Sequence, residues 1–413
     1  MMKYFSSLSF LESNLKYTLT PEGTIDSKIF KTISSSSNYF RTVSIFDNES
    51  KGTISRDKKA IFSILTNSLT PTSIEDKSIG SMLGMCIGDA MGHRFEFEPV
   101  VYDKIVLTDM GKGKGGQFEL EPGQWTDDTS MGLCLADSLL VNEGYFHPRD
   151  LMHRFLLWWN NGYNNAFRFD ENKRSCGLGG NISGSLYEYV ELKGQNPYTK
   201  YGDENTSGNG SIMRNAAVPI CFYKDINKGR NVAKWQSLVT HQGKEAYACC
   251  ELLTFIVSKL INGEDLFNDV LNKLDKEFTC DVDSVNTLAK SEQEGDNVNR
   301  NWNWKDDNFK YSEERVNNNS GYIGSYCMDA MAMALHVVYT TKSFKDAIIK
   351  VVNLRGDSDS VGSVVGQIAG AYYGFKNIPI EWIKVIEKWD HQEIALRGYM
   401  LCHLFDDVKS RVN

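Results

Sequence analysis

Two stretches of the chain carry a glycine at every fourth position, and they restrict the fold more than any other feature. Residues four apart lie on one face of an α-helix, so each stretch predicts a helix with a smooth ridge. A glycine inside a helix costs roughly 1 kcal/mol relative to alanine, and close backbone packing can offset that cost. We therefore predict two buried helices that pack unusually closely. The glycines are Gly80, Gly84, Gly88 and Gly92 in the first stretch and Gly362, Gly366, Gly370 and Gly374 in the second.

Paired membrane-spanning helices are the other structures that use this glycine spacing. No uninterrupted apolar run reaches the roughly 18 residues that a membrane span needs. The polar residues Asp89, His93 and Gln367 also lie within or beside the two stretches. Because no β-type alternation of useful length is present, we predict an all-α protein, a compact orthogonal multi-helix bundle without membrane contact.

The composition of the chain changes near residue 76. Residues 1–75 are rich in Ser, Thr, Asn and Lys and predict an N-terminal extension, either a small accessory subdomain or a partly disordered arm. Residues 76–413 are long enough for one large domain. The net charge of -8 and the absence of a sustained Lys/Arg run argue against a nucleic-acid surface. Nine cysteines without a CxxC pair indicate reduced thiols and a cytoplasmic protein.

Two acidic stretches at predicted helix starts suggest a metal site built from two halves. Divalent cations such as magnesium prefer oxygen ligands, and a pair of cations needs more carboxylates than one short loop supplies. The alternative interpretation is ordinary helix capping, since Asp, Ser and Thr cap amides. Capping uses one or two such residues, whereas four acids and several hydroxyls crowd these two helix starts. The candidate ligands are Thr126, Asp127, Asp128, Asp357, Asp359 and Ser360.

Glu96 follows the first glycine stretch and lies among aromatic residues, a setting that raises the pKa of a carboxyl. It is a candidate acid/base residue, and the alternative is a surface glutamate in a loop. His241 precedes a predicted helix and is either a site residue or a structural histidine. Tyr322 either stacks on a base or belongs to the core. It follows the polar segment 292–320, which we interpret as a solvated insertion.

Two loops of small residues also precede predicted helix starts. Free backbone amides in such loops suit a diphosphate or nucleotide-like anion. The alternative for each loop is a tight connection between helices. The candidate binding residues are Gly177, Gly179 and Gly180 in the first loop and Ser207, Gly208, Asn209, Gly210 and Ser211 in the second.

In their order along the chain, these motifs resemble the ADP-ribosylglycohydrolase (ADP-ribosylhydrolase) family, in particular the type that reactivates dinitrogenase reductase. The resemblance runs from about Ser78 to near the C-terminus. Residues 1–75 lie outside it, and the segment before Gly321 is longer than is usual in the family. The matching motifs are residues 88–92 with Glu96, 125–129, 208–214, His241 and 356–360.

The resemblance implies a helical domain with a binuclear site of two magnesium ions, with manganese as the alternative. It implies that this domain removes ADP-ribose from a modified protein side chain, and that the six candidate ligands hold the ions. Glu96, Asp127 and Asp357 are then expected to act in catalysis, and the two small-residue loops, His241 and Tyr322 to bind ADP-ribose. The expected partners are an ADP-ribosylated protein and ADP-ribose, and we expect a monomer.

The resemblance leaves the modified side chain open. Ser360 resembles the branch that acts on ADP-ribosylarginine, whereas the short path from Asp89 to Glu96 resembles the bacterial reactivating enzyme and the serine-directed branch. We favour arginine. The alternatives are hydrolysis of ADP-ribosylserine, O-acetyl-ADP-ribose or poly(ADP-ribose), binding of ADP-ribose without cleavage, and a structural role like that of lens crystallins.

Overall fold

The structure is a computed structural model that describes residues 69–167, 175–201 and 206–404. Within these ranges the chain forms helices and isolated β-bridges but no strand, so the all-α prediction is confirmed. Residues 1–68 of the predicted N-terminal extension lie outside the described ranges. In chain order the helices are α1 (Ile74–Gly92), α2 (Asp127–Val141), α3 (Pro148–Asn161), α4 (Gly180–Glu191), α5 (Ala217–Phe222), α6 (Ile226–Leu238), α7 (Lys244–Ile261), α8 (Leu274–Glu277), α9 (Asp283–Lys290), α10 (Glu313–Asn319), α11 (Cys327–Thr340), α12 (Phe344–Val352), α13 (Ser358–Tyr373), α14 (Ile380–Asp390) and α15 (Glu393–Cys402).

Helices α1 and α13 are buried and pack antiparallel, with glycines at the contact. A β-carbon built on Gly84 would lie 2.0 Å from the carbonyl oxygen of Gly366, and one built on Gly366 would lie 1.9 Å from the carbonyl oxygen of Gly84. These distances leave no space for any side chain, so the prediction of two closely packed helices is confirmed. The facing pairs are Gly80 with Gly370, Gly84 with Gly366, and Gly88 with Gly362.

The antiparallel direction brings the end of α1 to the start of α13. The Ser358 hydroxyl donates a hydrogen bond of 2.8 Å to the carbonyl oxygen of Gly92. Glu98, which follows α1, and Gly356, which precedes α13, form an antiparallel bridge. The segment that carries Glu96 is thereby fixed beside the acidic stretch that opens α13.

A buried polar network holds helix α2 and the segment before it. Asp137 in α2 accepts hydrogen bonds from Arg397 at 2.7 Å, Tyr163 at 2.5 Å and Asn164 at 2.9 Å. Burial raises the pKa of Asp137, but the Arg397 charge and these hydrogen bonds bring it below its usual value. The carbonyl oxygen of Asn164 accepts from the indole N–H of Trp125 at 3.0 Å. The network therefore anchors the residue that precedes the first acidic stretch.

The segment 292–320 is packed more firmly than its polar composition predicts. Trp302 and Trp304 are buried, and the Trp304 indole donates to the carbonyl oxygen of Leu288 at 2.7 Å. Arg315 forms an ion pair of 2.6 Å with the buried Asp329 of α11. The expectation of a solvated insertion therefore holds for the many exposed residues of this segment, but its aromatic residues anchor it to the helices.

No helix in the described ranges combines the length and apolarity that crossing a membrane requires. All nine cysteines lie in these ranges and are free thiols, as the spacing of the cysteines predicts.

Replacement of Gly366 by alanine tests the packing of α1 on α13. The added methyl group meets the backbone of Gly84, which cannot move without separating the two helices. We expect Gly366→Ala to lower the free energy of unfolding by about 3 kcal/mol, at the upper end of typical overpacking costs. Urea denaturation measures the change.

Gly180→Ala is the matched control, since a β-carbon at Gly180 in the first turn of α4 meets nothing within 4 Å. We expect its stability to change by less than about 0.5 kcal/mol. Equal stability of Gly366→Ala and wild type would contradict the close contact.

Candidate metal and catalytic site

Acidic side chains converge where the end of α1 meets the starts of α2 and α13. One carboxylate oxygen from each of Asp89, Asp128 and Asp359 lies within 4.8 Å of the others, and all three residues are buried. Asp127, Asp357 and Glu96 interact electrostatically with this group. The structure therefore unites the two acidic stretches that the sequence predicts to form one site.

The carboxylates of this acidic cluster have no ion-pair partner in the described part of the chain, and the one nearby positive charge is that of Arg214, which acts on Asp127 from a distance. No Lys, Arg or His there forms an ion pair with any of these carboxylates. Burial and mutual repulsion raise the pKa values of Asp127, Asp128 and Asp359 well above their usual range. The Oδ1 atom of Asp128 is buried without a hydrogen-bond partner. Such carboxylates fit a hard divalent cation, which would supply the missing charge.

Glu96 lies at the edge of the cluster in a fixed backbone segment. The N–H of Phe97 donates to the carbonyl oxygen of Gly356, and the N–H of Gly356 donates to that of Glu98, both at 2.9 Å. Burial, followed by repulsion from Asp357 and Asp127, raises the pKa of Glu96 to about 9. Glu96 is therefore held close to the acidic cluster and is not an ordinary surface glutamate.

Two neutral side chains orient Asp357. Its Oδ2 atom accepts a hydrogen bond from the Asn209 amide at 3.0 Å and one from the Ser325 hydroxyl at 2.6 Å. The Asn209 amide also donates to the carbonyl oxygen of Gly324 at 3.0 Å. Sequence reasoning found Asn209 but missed Ser325, because Ser325 lies in no recognisable motif and reaches the site only through folding.

The first small-residue loop packs against Asp127 of the acidic cluster. Gly177 has a left-handed backbone with φ of 85°, and a β-carbon there would lie 2.0 Å from Oδ1 of Asp127, so only glycine fits. The loop ends at Gly179 and Gly180, which are exposed and open helix α4 without a side-chain cap. Their free amides beside the acidic cluster suit an anionic group of a ligand.

The second small-residue loop packs against His241. A β-carbon on Gly210 would lie 2.8 Å from Cε1 of the His241 ring. The ring is buried, and its Nδ1 atom lies 2.8 Å from the Thr240 hydroxyl. Burial, together with the Arg214 charge, lowers the pKa of His241 to about 3, so the ring is neutral near pH 7. Gly208 also lies beside this ring, since a β-carbon built on it would be 3.4 Å from Nε2 of His241.

The remaining candidates have different surroundings. Tyr322 stacks on Phe97 with ring centroids 4.5 Å apart and is 53% exposed. In contrast, the Ser211 hydroxyl is fully buried and accepts a hydrogen bond from Ser237, so it faces the core. The Ser207 hydroxyl lies against Gly243. Ser360 is buried; its backbone N–H donates to Oδ1 of Asp359 at 2.9 Å, and its hydroxyl lies 3.6 Å from the sulfur of Met213.

Asp89 is the acidic residue that sequence reasoning missed as a site residue. It accepts hydrogen bonds from the backbone and the hydroxyl group of both Thr126 and Thr129. Burial outweighs these bonds and raises the pKa of Asp89 to about 6. An aspartate inside a helix lined with glycines was an available signal, because a buried carboxylate must find donors elsewhere in the fold.

Comparison with known proteins gives the family of the chain. The family model described as ADP-ribosylglycohydrolase matches residues 70–409. An ADP-ribosylarginine hydrolase of Serratia proteamaculans is 33% identical over 308 residues, which cover 75% of this chain and 74% of that protein. The ADP-ribosyl-dinitrogen reductase glycohydrolase of Rhodospirillum rubrum is 26% identical over 332 residues, which cover 79% of this chain and 95% of that protein. A solved structure titled ADP-ribosylglycohydrolase-related protein complex shares 28% identity with a TM-score of 0.60, covering 80% of this chain and 99% of that one.

The raised carboxyl pKa values predict how stability depends on pH once divalent cations are removed with EDTA. Folded-state values above the unfolded ones, which lie near 4, mean that the folded protein binds more protons. This contribution to stability is complete below about pH 4 and is lost as the pH rises towards the Glu96 value of about 9. We therefore expect the Tm in EDTA to fall between about pH 5 and about pH 9.

Thermal unfolding with EDTA and with Mg²⁺ at each pH measures this dependence. Mg²⁺ should remove most of the fall in Tm, since its positive charge balances the carboxylates when they ionise. Asp128→Asn should show a shallower decline in EDTA than wild type. A Tm in EDTA that rises between about pH 5 and about pH 9 would contradict the raised pKa values of the clustered carboxyl groups.

Proposed function

Because this chain belongs to the ADP-ribosylglycohydrolase family and is a hydrolase of glycosyl bonds, we propose that it releases ADP-ribose from modified arginine side chains of proteins. The observation that carries the proposal is the buried acidic cluster, whose carboxylates form no ion pair in the described part of the chain, with Glu96 beside it. The choice of arginine is supported by the relative named for ADP-ribosylarginine, at 33% identity. The dinitrogenase-reductase type is not confirmed, since the relative named for that substrate is 26% identical.

We propose two divalent cations in this site, magnesium ions with manganese as the alternative. The unpartnered oxygen of Asp128 supports this choice, as does a donor set made only of oxygen atoms. When bound, paired cations would hold the ribose hydroxyls and orient the attacking water. The proposed ligands are Thr126, Asp127, Asp128, Asp357, Asp359 and Ser360.

In the proposed reaction, water adds to the anomeric carbon of the ribose and the bond to the arginine nitrogen breaks. Glu96, protonated because of its raised pKa, gives its proton to the leaving nitrogen and takes one back from the attacking water, so ADP-ribose and unmodified arginine result. Asp127 and Asp357 hold the reacting groups in line. Asp357 suits this task because Asn209 and Ser325 fix its carboxylate from one side.

We propose that the two small-residue loops and Tyr322 bind the ADP portion. The free amides of Gly179 and Gly180 at the start of α4 suit the diphosphate. The exposed Tyr322 ring, stacked on Phe97, offers a face for the adenine base. Gly208 and Gly210 let the second loop, with Ser207, Asn209 and Ser211, approach the neutral His241 closely.

We further propose a cytoplasmic monomer with two regions, an extension over residues 1–75 and a catalytic domain over residues 76–413. The family match from residue 70 supports the placing of the catalytic region. The nine free thiols support a reducing compartment.

Release of ADP-ribose from arginine-modified and serine-modified test proteins checks the proposed activity. We expect wild type with Mg²⁺ to act on the arginine-linked substrate, EDTA to abolish release, and Asp359→Ala to lose at least about 100-fold in rate. Release from the serine-linked substrate alone would replace arginine by serine. Binding of ADP-ribose without release from either protein would favour a binding function or another glycoside, such as O-acetyl-ADP-ribose or poly(ADP-ribose). Absence of both binding and release would favour the crystallin-like structural role.

Glu96→Gln tests the proposed proton transfer. The amide keeps the shape of the side chain but cannot carry a proton, so we expect kcat to fall by about 100- to 10,000-fold. Binding of ADP-ribose, measured by calorimetry, should change little. Glu119→Gln is the control, since Glu119 is exposed on the nearby surface. Equal loss in both variants, or none in Glu96→Gln, would contradict the assignment of Glu96.

A further inference from the structure

Asp89 lies within the acidic cluster, but its two oxygen atoms are already occupied. The N–H of Thr126 contacts both oxygens, at 3.0 and 3.1 Å, and the N–H of Thr129 donates to Oδ2 at 3.0 Å. The Thr126 hydroxyl donates to Oδ1 at 2.9 Å and the Thr129 hydroxyl to Oδ2 at 2.6 Å. A carboxylate offers about four lone-pair positions, and these four donors fill them. Asp89 therefore differs from Asp128, which keeps one oxygen without a partner.

The Thr126 hydroxyl has two carboxylates within reach and only one proton to give. Its oxygen lies 2.9 Å from Oδ1 of Asp89 and 3.1 Å from Oδ2 of Asp128. A hydroxyl carries one proton and two lone pairs. If the proton points to Asp89, the lone pairs face the side of Asp128. If the proton points to Asp128, a positive hydrogen atom faces the place where a cation would bind.

The backbone around Asp89 is held in place by close packing. Gly88 and Gly92 flank Asp89 in α1 and pack against the backbone of α13. β-carbons built on them would lie 2.0 and 2.3 Å from carbonyl oxygens of α13. Asp89 itself is fully buried. Its carboxylate therefore stays fixed relative to the starts of both α2 and α13.

We propose that Asp89 is a positioning residue that takes the proton of the Thr126 hydroxyl in a hydrogen bond and thereby directs the lone pairs of Thr126 to the cation. The inference rests on the cation site of the proposed function. Asp89 is not a metal ligand in this arrangement, although its carboxylate lies within 4.8 Å of the Asp128 and Asp359 oxygens. Partners of this kind, one step removed from a metal, commonly affect metal affinity by about 10- to 100-fold.

A double-mutant cycle on Mn²⁺ affinity tests the proposal, with calorimetry on chelator-treated protein as the measurement. We expect Asp89→Asn and Thr126→Val each to weaken Mn²⁺ binding by about 10- to 100-fold. The Mn²⁺ affinity of the double variant should be at most about threefold below that of the single variant with the lower affinity, because both changes remove the same oriented hydroxyl. Thr129→Val is the matched control: it also removes a hydroxyl donor to Asp89 but leaves Thr126 intact, so we expect a change below about threefold.

Losses that multiply in the double variant would overturn the proposal, since a direct ligand or a purely electrostatic effect of Asp89 persists without the Thr126 hydroxyl. Unchanged affinity of Asp89→Asn would overturn it as well. A crystal structure of wild type with Mn²⁺ gives a test that does not depend on the folding of any variant. We expect the Thr126 oxygen at roughly 2.2 Å from the ion and both Asp89 oxygens beyond about 3 Å. An Asp89 oxygen bonded to the ion would contradict the proposal.

Both measurements detect cation binding and not hydrolysis, so the two proposals can fail separately. A protein that binds Mn²⁺ as expected but releases no ADP-ribose would contradict the proposed function and leave the role of Asp89 supported. A wild-type protein that binds no Mn²⁺ would overturn the role of Asp89.

Discussion

The close contact between α1 and α13 is the interaction on which the rest of the structure depends. Three facing pairs of glycines let the two backbones touch, and the helices run antiparallel. As a result the end of α1, with Asp89 and the Glu96 segment, lies beside the start of α13, with Asp357 and Asp359. A larger residue at the contact would push these elements apart, since a β-carbon there would lie about 2 Å from the facing backbone. The packing of small residues therefore sets the geometry of the acidic cluster.

The second constraint is electrostatic. Buried carboxylates repel one another and lose hydration, which the raised pKa values of Asp127, Asp128 and Asp359 reflect. A chain that needed these residues only as helix caps would not collect them at one place, since capping is satisfied by one or two residues per helix. Elsewhere in the protein the buried Asp137 has Arg397 as its partner. The contrast shows that this fold balances buried charge where no ligand is required.

The Gly-Gly spacing and the two acidic stretches were predictable because each is local in the sequence. A ridge of glycines follows from helical periodicity, and oxygen ligands follow from residue type. The hydrogen-bond partners of Asp89 and Ser325 were not predictable in this way, because these bonds join residues far apart in the chain. The packing of segment 292–320 was missed for a related reason. Its average composition is polar, whereas a few residues, Trp302, Trp304 and Arg315, anchor it.

The sequence by itself determined the helical class, the two glycine ridges and the set of oxygen-bearing side chains for a cation. Tertiary structure brought Asp89 to them and decided which buried carboxylates keep an oxygen atom without a hydrogen-bond partner. Asp128 and Asp89 show the difference, since both are buried aspartates in helices but only Asp128 has an oxygen without a partner. Periodicity and residue type are properties of neighbouring residues, whereas the sharing of donors among carboxylates depends on distances that exist only once the helices have packed.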